Sequence, residues 1–176
     1  MTTSLPIQAP VNSDTYLAFQ SLLFKEARLL DTEEYQQWLD MLTEDIHYYM
    51  PFPARYLREE KNTEKTLEAN VFNDYKPQLA LRVSRFATSL VWSENPQNLI
   101  RHSVSNIEVF PTDTDGEWQV LSLVTVSRNR LDGDERRMLV SRTDTWRIEG
   151  DQVKLAKRHM LFNHTVVPDS NLNFFF

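Results

Sequence analysis

The segment EDIHYYMPFP, Glu44 to Pro53, sets two carboxylates, a histidine and two tyrosines within six positions, ahead of two prolines. These are the residue types of general acid–base catalysis, which needs a group near its pKa within reach of a transferable proton. Asp45, Tyr48, His102 and His159 are the candidates for such a site. The plainer alternative is that tyrosines at the start of a strand are core residues with a satisfied hydroxyl, and the segment alone favours it. The four histidines, His47, His102, His159 and His164, show no helical i, i+4 pair of the HExxH kind. His159 and His164 are five apart, which strict strand alternation points to opposite faces, so no bound metal is expected. With no cysteine in the chain, a disulfide, a zinc–thiolate site, an iron–sulfur cluster and a thiol nucleophile are excluded. Ser103 beside His102 is only a sequence neighbour, no GxSxG elbow occurs, and three glycines are too few for a phosphate-cradling loop. No catalytic, cofactor-binding or metal-binding residue is therefore assigned. A basic set, Arg128, Arg130, Arg136, Arg137, Lys154, Lys157 and Arg158, reads as a solvated strand face or as a docking surface for a negatively charged partner.

The elements that would position these residues follow from periodicity. Asp14 can cap a helix over about 14–30, whose Tyr16, Phe19, Leu23, Ala27 and Leu30 form one stripe, and Asp31 with Glu34 resembles a capping pair opening a second helix over 31–43. Tyr35, Trp38, Leu39 and Leu42 share a face of that helix. From Asp45 the period falls to two, with Ile46, Tyr48 and Met50 on one side and His47 and Tyr49 on the other, giving a strand over 45–50 closed by Pro51 and Pro53. YLREEKNTEKT reads as solvated, and a third helix is expected over 74–91, with Leu79, Val83 and Phe86 inward. The glycines sit in Asp115-Gly116, Asp132-Gly133 and Glu149-Gly150-Asp151, the turn chemistry of tight hairpins. They divide the second half into strands at about 99–111, 117–131, 135–148 and 152–166, followed by a tail over 167–176. Strands that long rise about 3.3 Å per residue and must twist and curl. Trp118, Val120, Val124 and Val126 make one face, with Gln119, Thr125, Ser127 and Asn129 on the other. Met138, Val140, Trp146 and Ile148 make an apolar face of the next strand, interrupted by Arg142 and Asp144. That polar pair is either a salt-bridged structural pair or the lining of a cavity, and pairing is how buried charges are tolerated. The fold class is α+β: three helices packed on a strongly curved antiparallel sheet, leaving a conical interior in which burial could shift the pKa of a candidate group.

With 176 residues, the chain has the length of a single domain over 14–176 behind a flexible segment at 1–13. A formal net charge of −6 gives no field favouring a nucleic acid backbone, and no apolar run reaches the roughly 20 residues of a membrane helix. MTTSLPIQAPVNS lacks the features of a secretory signal, which makes the cytoplasm the expectation. SNLNFFF closes the sequence with apolar residues that should be pinned into a groove, on the chain's own sheet or at a subunit interface.

Three stretches carry a family likeness: FKEARLLDTEEYQQWLDMLTEDIHYYMP, NLIRHSVSNIEV and SNLNFFF. The element order resembles the cystatin-like cone typified by nuclear transport factor 2 and ketosteroid isomerase. EARLLD, W-L, ED-HY-MP, RH-VSN and the terminal NL-FF together resemble the small (beta) subunit of aromatic-ring-hydroxylating dioxygenases of the Rieske non-haem iron class, over Phe24 to Phe176. The resemblance implies a non-catalytic structural subunit of a three-plus-three hexamer, trimeric by itself. It also implies that a large (alpha) subunit carries the Rieske [2Fe–2S] cluster and the mononuclear iron, with electrons from NADH delivered through a reductase. The complex would add O2 to an aromatic ring to give a cis-dihydrodiol, on a substrate that this chain does not specify. Two rivals of other classes are a stand-alone cone-fold isomerase or dehydratase using Asp45, Tyr48 or His102, and a binding protein of the transport-factor type.

Overall fold

The computed structural model describes residues 11–52, 70–86, 98–130, 134–164 and 172–176. Its elements in chain order are α1 (Ser13–Asp31), α2 (Tyr35–Asp40), β1 (Leu42–Pro51), β2 (Asn70–Tyr75), α3 (Lys76–Phe86), β3 (Leu99–Pro111), β4 (Glu117–Arg130), β5 (Asp134–Glu149) and β6 (Gln152–Phe162). The six strands form one sheet in the order β2-β1-β6-β5-β4-β3. From β3 to β6 the sheet is an antiparallel meander, but β1 lies parallel to β6, so the sheet is mixed rather than wholly antiparallel. Gly116 and Gly150 take φ of +73° and +65° at two of the turns, a region open to glycine without steric cost. Register shifts at Ser105/Glu108 and Thr145/Trp146 interrupt the ladders; such bulges bend a strand and raise its twist. Asn106, at the first of them, holds φ +50°, which an asparagine tolerates.

The first half departs from its periodicity in four places. Asn12, not Asp14, caps α1, its Oδ1 accepting from the Thr15 amide at 2.8 Å. Asp31 ends α1 instead of capping the next helix; its carboxylate is committed to His102. Glu33, at φ +59°, turns the chain, leaving α2 only the six residues Tyr35–Asp40 with no side-chain cap. Leu42 accordingly opens β1 three residues before the change of period at Asp45. The third helix starts at Lys76 because Asn70–Tyr75 is an edge strand paired with β1, and Pro77 stands in the helix's first turn, where a missing N–H costs nothing. Residues 87–91 of the expected helix, YLREEKNTEKT, Gly133, positions 1–10 and 165–171 lie outside the described residues. β6 ends at Phe162, ahead of the expected 166.

One hydrophobic cluster joins the helices to the inner face of the sheet. Phe19, Leu23, Leu30, Trp38, Ile46, Tyr48, Leu79, Val124, Val140 and Trp146 belong to it. So do Phe174, Phe175 and Phe176, all at most 2% exposed, which places the tail in the chain's own core. Ile148, expected inward, is 51% exposed and packs beside Gly116.

Candidate functional site

Glu26 interrupts the apolar stripe of α1 between Leu23 and Ala27, and at 1% exposure it points into the core. Arg142 and Asp144, two apart on β5, and Arg158 on β6 meet it there. Arg158 donates from Nη1 and Nη2 to Glu26 Oε1 and Oε2 at 2.7 and 2.9 Å, and from Nε and Nη2 to Asp144 Oδ1 and Oδ2 at 2.9 and 2.8 Å. One guanidinium thus holds two carboxylates by its two forks. Arg142 Nη1 lies 3.3 Å from Glu26 Oε2, and its Nε bonds Ser122 Oγ; Trp38 Nε1 donates to Glu26 Oε1 at 3.1 Å. The set balances two carboxylates against two guanidiniums, which is how four charges stand in a core where an isolated one would cost several kcal/mol. Arg142 and Asp144 are therefore a salt-bridged structural pair, not a cavity lining. Burial pushes the Glu26 carboxyl up, but the guanidiniums of Arg158 and Arg142 outweigh it and hold its pKa at about 2. Burial acts against Arg158 as well, yet Asp144 and Glu26 hold it well above its ordinary value. Arg142 is lowered by burial and by the neighbouring Arg158 charge. Among the described residues, Arg142 Nη2 and Trp146 Nε1 are buried donors without an acceptor.

The last three residues are tied to the same interior. Arg82 Nη2 donates to Phe174 O at 2.9 Å, His102 Nε2 lies 2.8 Å from Phe175 O, and Arg158 Nη1 donates to Phe176 O at 2.6 Å. Three successive main-chain oxygens are captured by side chains of α3, β3 and β6. Tyr48 completes the grip, its hydroxyl accepting from the Phe176 amide at 2.7 Å; burial raises the pKa of its phenol. The other ring nitrogen of His102, Nδ1, stands 2.7 Å from Asp31 Oδ1, which also accepts the His102 amide at 2.9 Å. Each imidazole nitrogen faces an oxygen, so the ring bridges α1 to the tail.

The four acid–base candidates do not converge. Tyr48 and His102 lie inside, bonded to the tail. Asp45 faces outward, 64% exposed at its side chain, and both of its oxygens accept from Arg147, which also binds Glu149; the hydrogen bonds from Arg147 hold its carboxyl below the usual range. His159 is also outward, its ring 5.3 Å from Tyr49. Burial, then Lys157 and His47, lower its pKa. His47 bonds Asn73 on β2 at 2.8 Å and stacks on Tyr75, while His164 Nε2 accepts from the Leu139 amide. The basic set is divided too: Arg158 and Arg128 are buried, 0% and 6% exposed, Lys154 is half-buried, and Arg136, Arg137 and Lys157 are exposed. Glu26, Asp31 and Arg82 had gone unnoticed in the sequence as interior groups. The signal for Glu26 was its place inside a helical stripe. An open groove of about 370 Å³ lies elsewhere, lined by Phe19, Leu22, Lys25, Met41 and Val153 among others.

What this interior does chemically is hold. Its carboxylates are bonded to arginines, and its largest fully buried side chains include Trp38, Trp146, Arg158, Tyr48, Phe175 and Phe176. No group of three or more His, Cys, Asp or Glu able to hold a metal occurs among the described residues. A family described as "Ring hydroxylating beta subunit" matches residues 25–169. Biphenyl 2,3-dioxygenase subunit beta of Rhodococcus jostii (strain RHA1) is 33% identical over 172 residues, covering 96% of this chain and 92% of that one. Benzene 1,2-dioxygenase subunit beta of Pseudomonas putida is 29% identical over the same shares. Among solved structures, naphthalene 1,2-dioxygenase with indole bound superposes with a TM-score of 0.83 at 24% identity, covering 94% of this chain and 88% of that one. ActVI-ORFA from Streptomyces coelicolor does so at 0.64 and 14%, covering 89% and 100%. At these identities the superpositions show the fold, an α+β cone of the nuclear transport factor 2 type.

Proposed function

The chain belongs to the ring-hydroxylating beta-subunit family, and from that membership we propose that it is the non-catalytic structural subunit of the terminal oxygenase of an aromatic-ring dioxygenase. The observation that carries this reading is the closed interior: both Glu26 oxygens and both Asp144 oxygens are taken by Arg158, and Tyr48 and His102 are spent on the tail. No residue is assigned a catalytic role. The residues of this chain do not fit a Rieske [2Fe–2S] cluster, since the sequence has no cysteine. The cluster and the mononuclear iron belong, on this reading, to a large alpha subunit, which receives electrons originating in NADH through a reductase. That partner would add O2 to an aromatic hydrocarbon or aromatic acid to give a cis-dihydrodiol. The assembly we propose is a cytoplasmic three-plus-three hexamer built on a trimer of this chain, symmetric closure being the usual route to such a base. No helix among the described residues is long and apolar enough to cross a membrane.

Co-expression with a ring-hydroxylating large subunit tests the reading. The two should co-purify in equal numbers as a hexamer, with iron and cluster absorbance lost when the large subunit is omitted. Stoichiometric iron in this chain purified alone, or a monomer that never associates with a large subunit, would overturn it.

A further inference from the structure

Phe175 is 1% exposed, and its ring sits in an aromatic box. Trp38 lies against it at 4.3 Å between centroids, Tyr35 meets it edge-on at 5.7 Å, and Phe86 and Tyr48 stand at 6.4 and 6.5 Å. The Arg82 guanidinium covers the ring with Cζ 4.5 Å from its centroid. Each wall has an anchor that does not involve this ring. Trp38 is tied by its indole N–H to Glu26, Tyr48 by its hydroxyl to the Phe176 main chain, Arg82 to Asp74 at 2.8 Å, and Tyr35 by stacking on Phe86 at 4.7 Å. The Phe175 main chain is separately held by His102. From this geometry we infer that the interior contains a preformed binding site for a single uncharged aromatic ring, occupied in the native protein by the chain's own Phe175.

Walls fixed from outside cannot close fully on a vacated space, and an apolar cavity of that kind stays dry and accepts small aromatic molecules. The occupant's class follows from Arg82 and the surrounding rings. A cation over a π face is attracted by the ring quadrupole, which a saturated ring of the same size lacks. The site should thus take toluene in preference to methylcyclohexane by roughly 2–30-fold, the ratio that a cation–π contact of ordinary strength gives. This inference stands whether or not the subunit reading holds, because it concerns only the packing of this chain.

The test uses the full-length chain without a large subunit, whose proposed site for an aromatic substrate would itself respond to toluene, as wild type, Phe175→Ala and Phe24→Ala, the last an exposed helical residue. Melting temperatures are measured without ligand, with toluene and with methylcyclohexane. Phe175→Ala should melt well below wild type and recover by roughly 3–6 °C in toluene at about ten times Kd, with a smaller rise in methylcyclohexane; wild type and Phe24→Ala should not respond. A folded Phe175→Ala that ignores toluene would show that the walls collapse and would overturn the inference, and equal responses to the two ligands would overturn the aromatic assignment. Should Phe175→Ala be insoluble, refolding yield is read in the same way: greater recovery of soluble protein with toluene than with methylcyclohexane supports the site, and no recovery with either refutes it.

Discussion

Arg142 and Arg147 stand five residues apart on β5, on opposite faces of one sheet, and both pair with two carboxylates. Arg147 grips Asp45 and Glu149 at the surface, where its side chain is 33% exposed and Asp45 is 64% exposed. Arg142 joins Glu26 and Asp144 where all three are at most 2% exposed. The outer contacts are the shorter, 2.8 Å to Glu149 against 3.3 and 3.8 Å from Arg142 to Glu26 and Asp144, yet the consequences run the other way. On the outside, water replaces a lost partner and salt screens the charges, so such pairs are worth about 0–1 kcal/mol. On the inside nothing replaces a lost partner, so the inner set holds α1, β5, β6 and the tail together far more tightly than its outer counterpart holds β1 to β5.

The comparison predicts its own hierarchy of effects. Glu26→Ala leaves Arg142 and Arg158 short of a carboxylate in the core and should cost about 3–5 kcal/mol, seen as loss of soluble protein or a large fall in the urea midpoint. Acid acts on the same group. The Glu26 carboxyl has an ordinary value of 4.5 and sits at about 2 when folded, so its contribution is fully present above pH 4.5 and is lost as pH falls toward 2. That loss is on the order of 3 kcal/mol, and Glu26→Gln should flatten this acid limb of a stability–pH profile. Asp31→Ala, which strips His102 of its ring and amide acceptor at the half-buried end of α1, should cost about 1–3 kcal/mol, measured by thermal melting. Asp45→Ala should be the mildest, about 0–1 kcal/mol, with assembly unchanged. If Asp45→Ala proved as damaging as Glu26→Ala, the distinction between the two faces would be lost.

How far the sequence disclosed this depends on the residue. The meander was legible because Gly116 and Gly150 each stand beside an acidic residue and Val120, Val124, Met138 and Val140 fall on the inward face at strand spacing. Arg158 was not legible. It stands in the run Lys157-Arg158-His159, and alternation from Leu155 assigns it outward. Leu155 pairs with Trp146 while Lys157 pairs with Thr145, so Ala156 is the extra residue of a bulge and reverses every later side chain of β6. Arg158 thereby enters the core and His159 leaves it. The edge strand Asn70–Tyr75 was hidden for a different reason: it has only six residues, none of them fully buried, and it runs straight into α3. Asp31 was misread because an aspartate ahead of Glu34 looks like a cap, and nothing local reveals a partner 71 positions away. The stretches that resemble the beta subunits nonetheless contain Glu26, Asp31, Trp38, Tyr48, His102 and Phe175, so the likeness fell on the interior network before its geometry was visible.

That the inward polar residues hold the fold and take no part in turnover is tested most directly by Tyr48→Phe, which removes one hydroxyl from the Phe176 amide and leaves the ring in place. Melting temperature and turnover per assembled oxygenase complex are measured on the same preparation, with the large subunit bound. The expected result is a melting temperature lowered by a few degrees, as loss of one buried hydrogen bond of about 1 kcal/mol implies, with turnover per complex equal to wild type. Wild-type melting and assembly, accompanied by a tenfold or greater loss of turnover, would contradict the account and place Tyr48 in the chemistry.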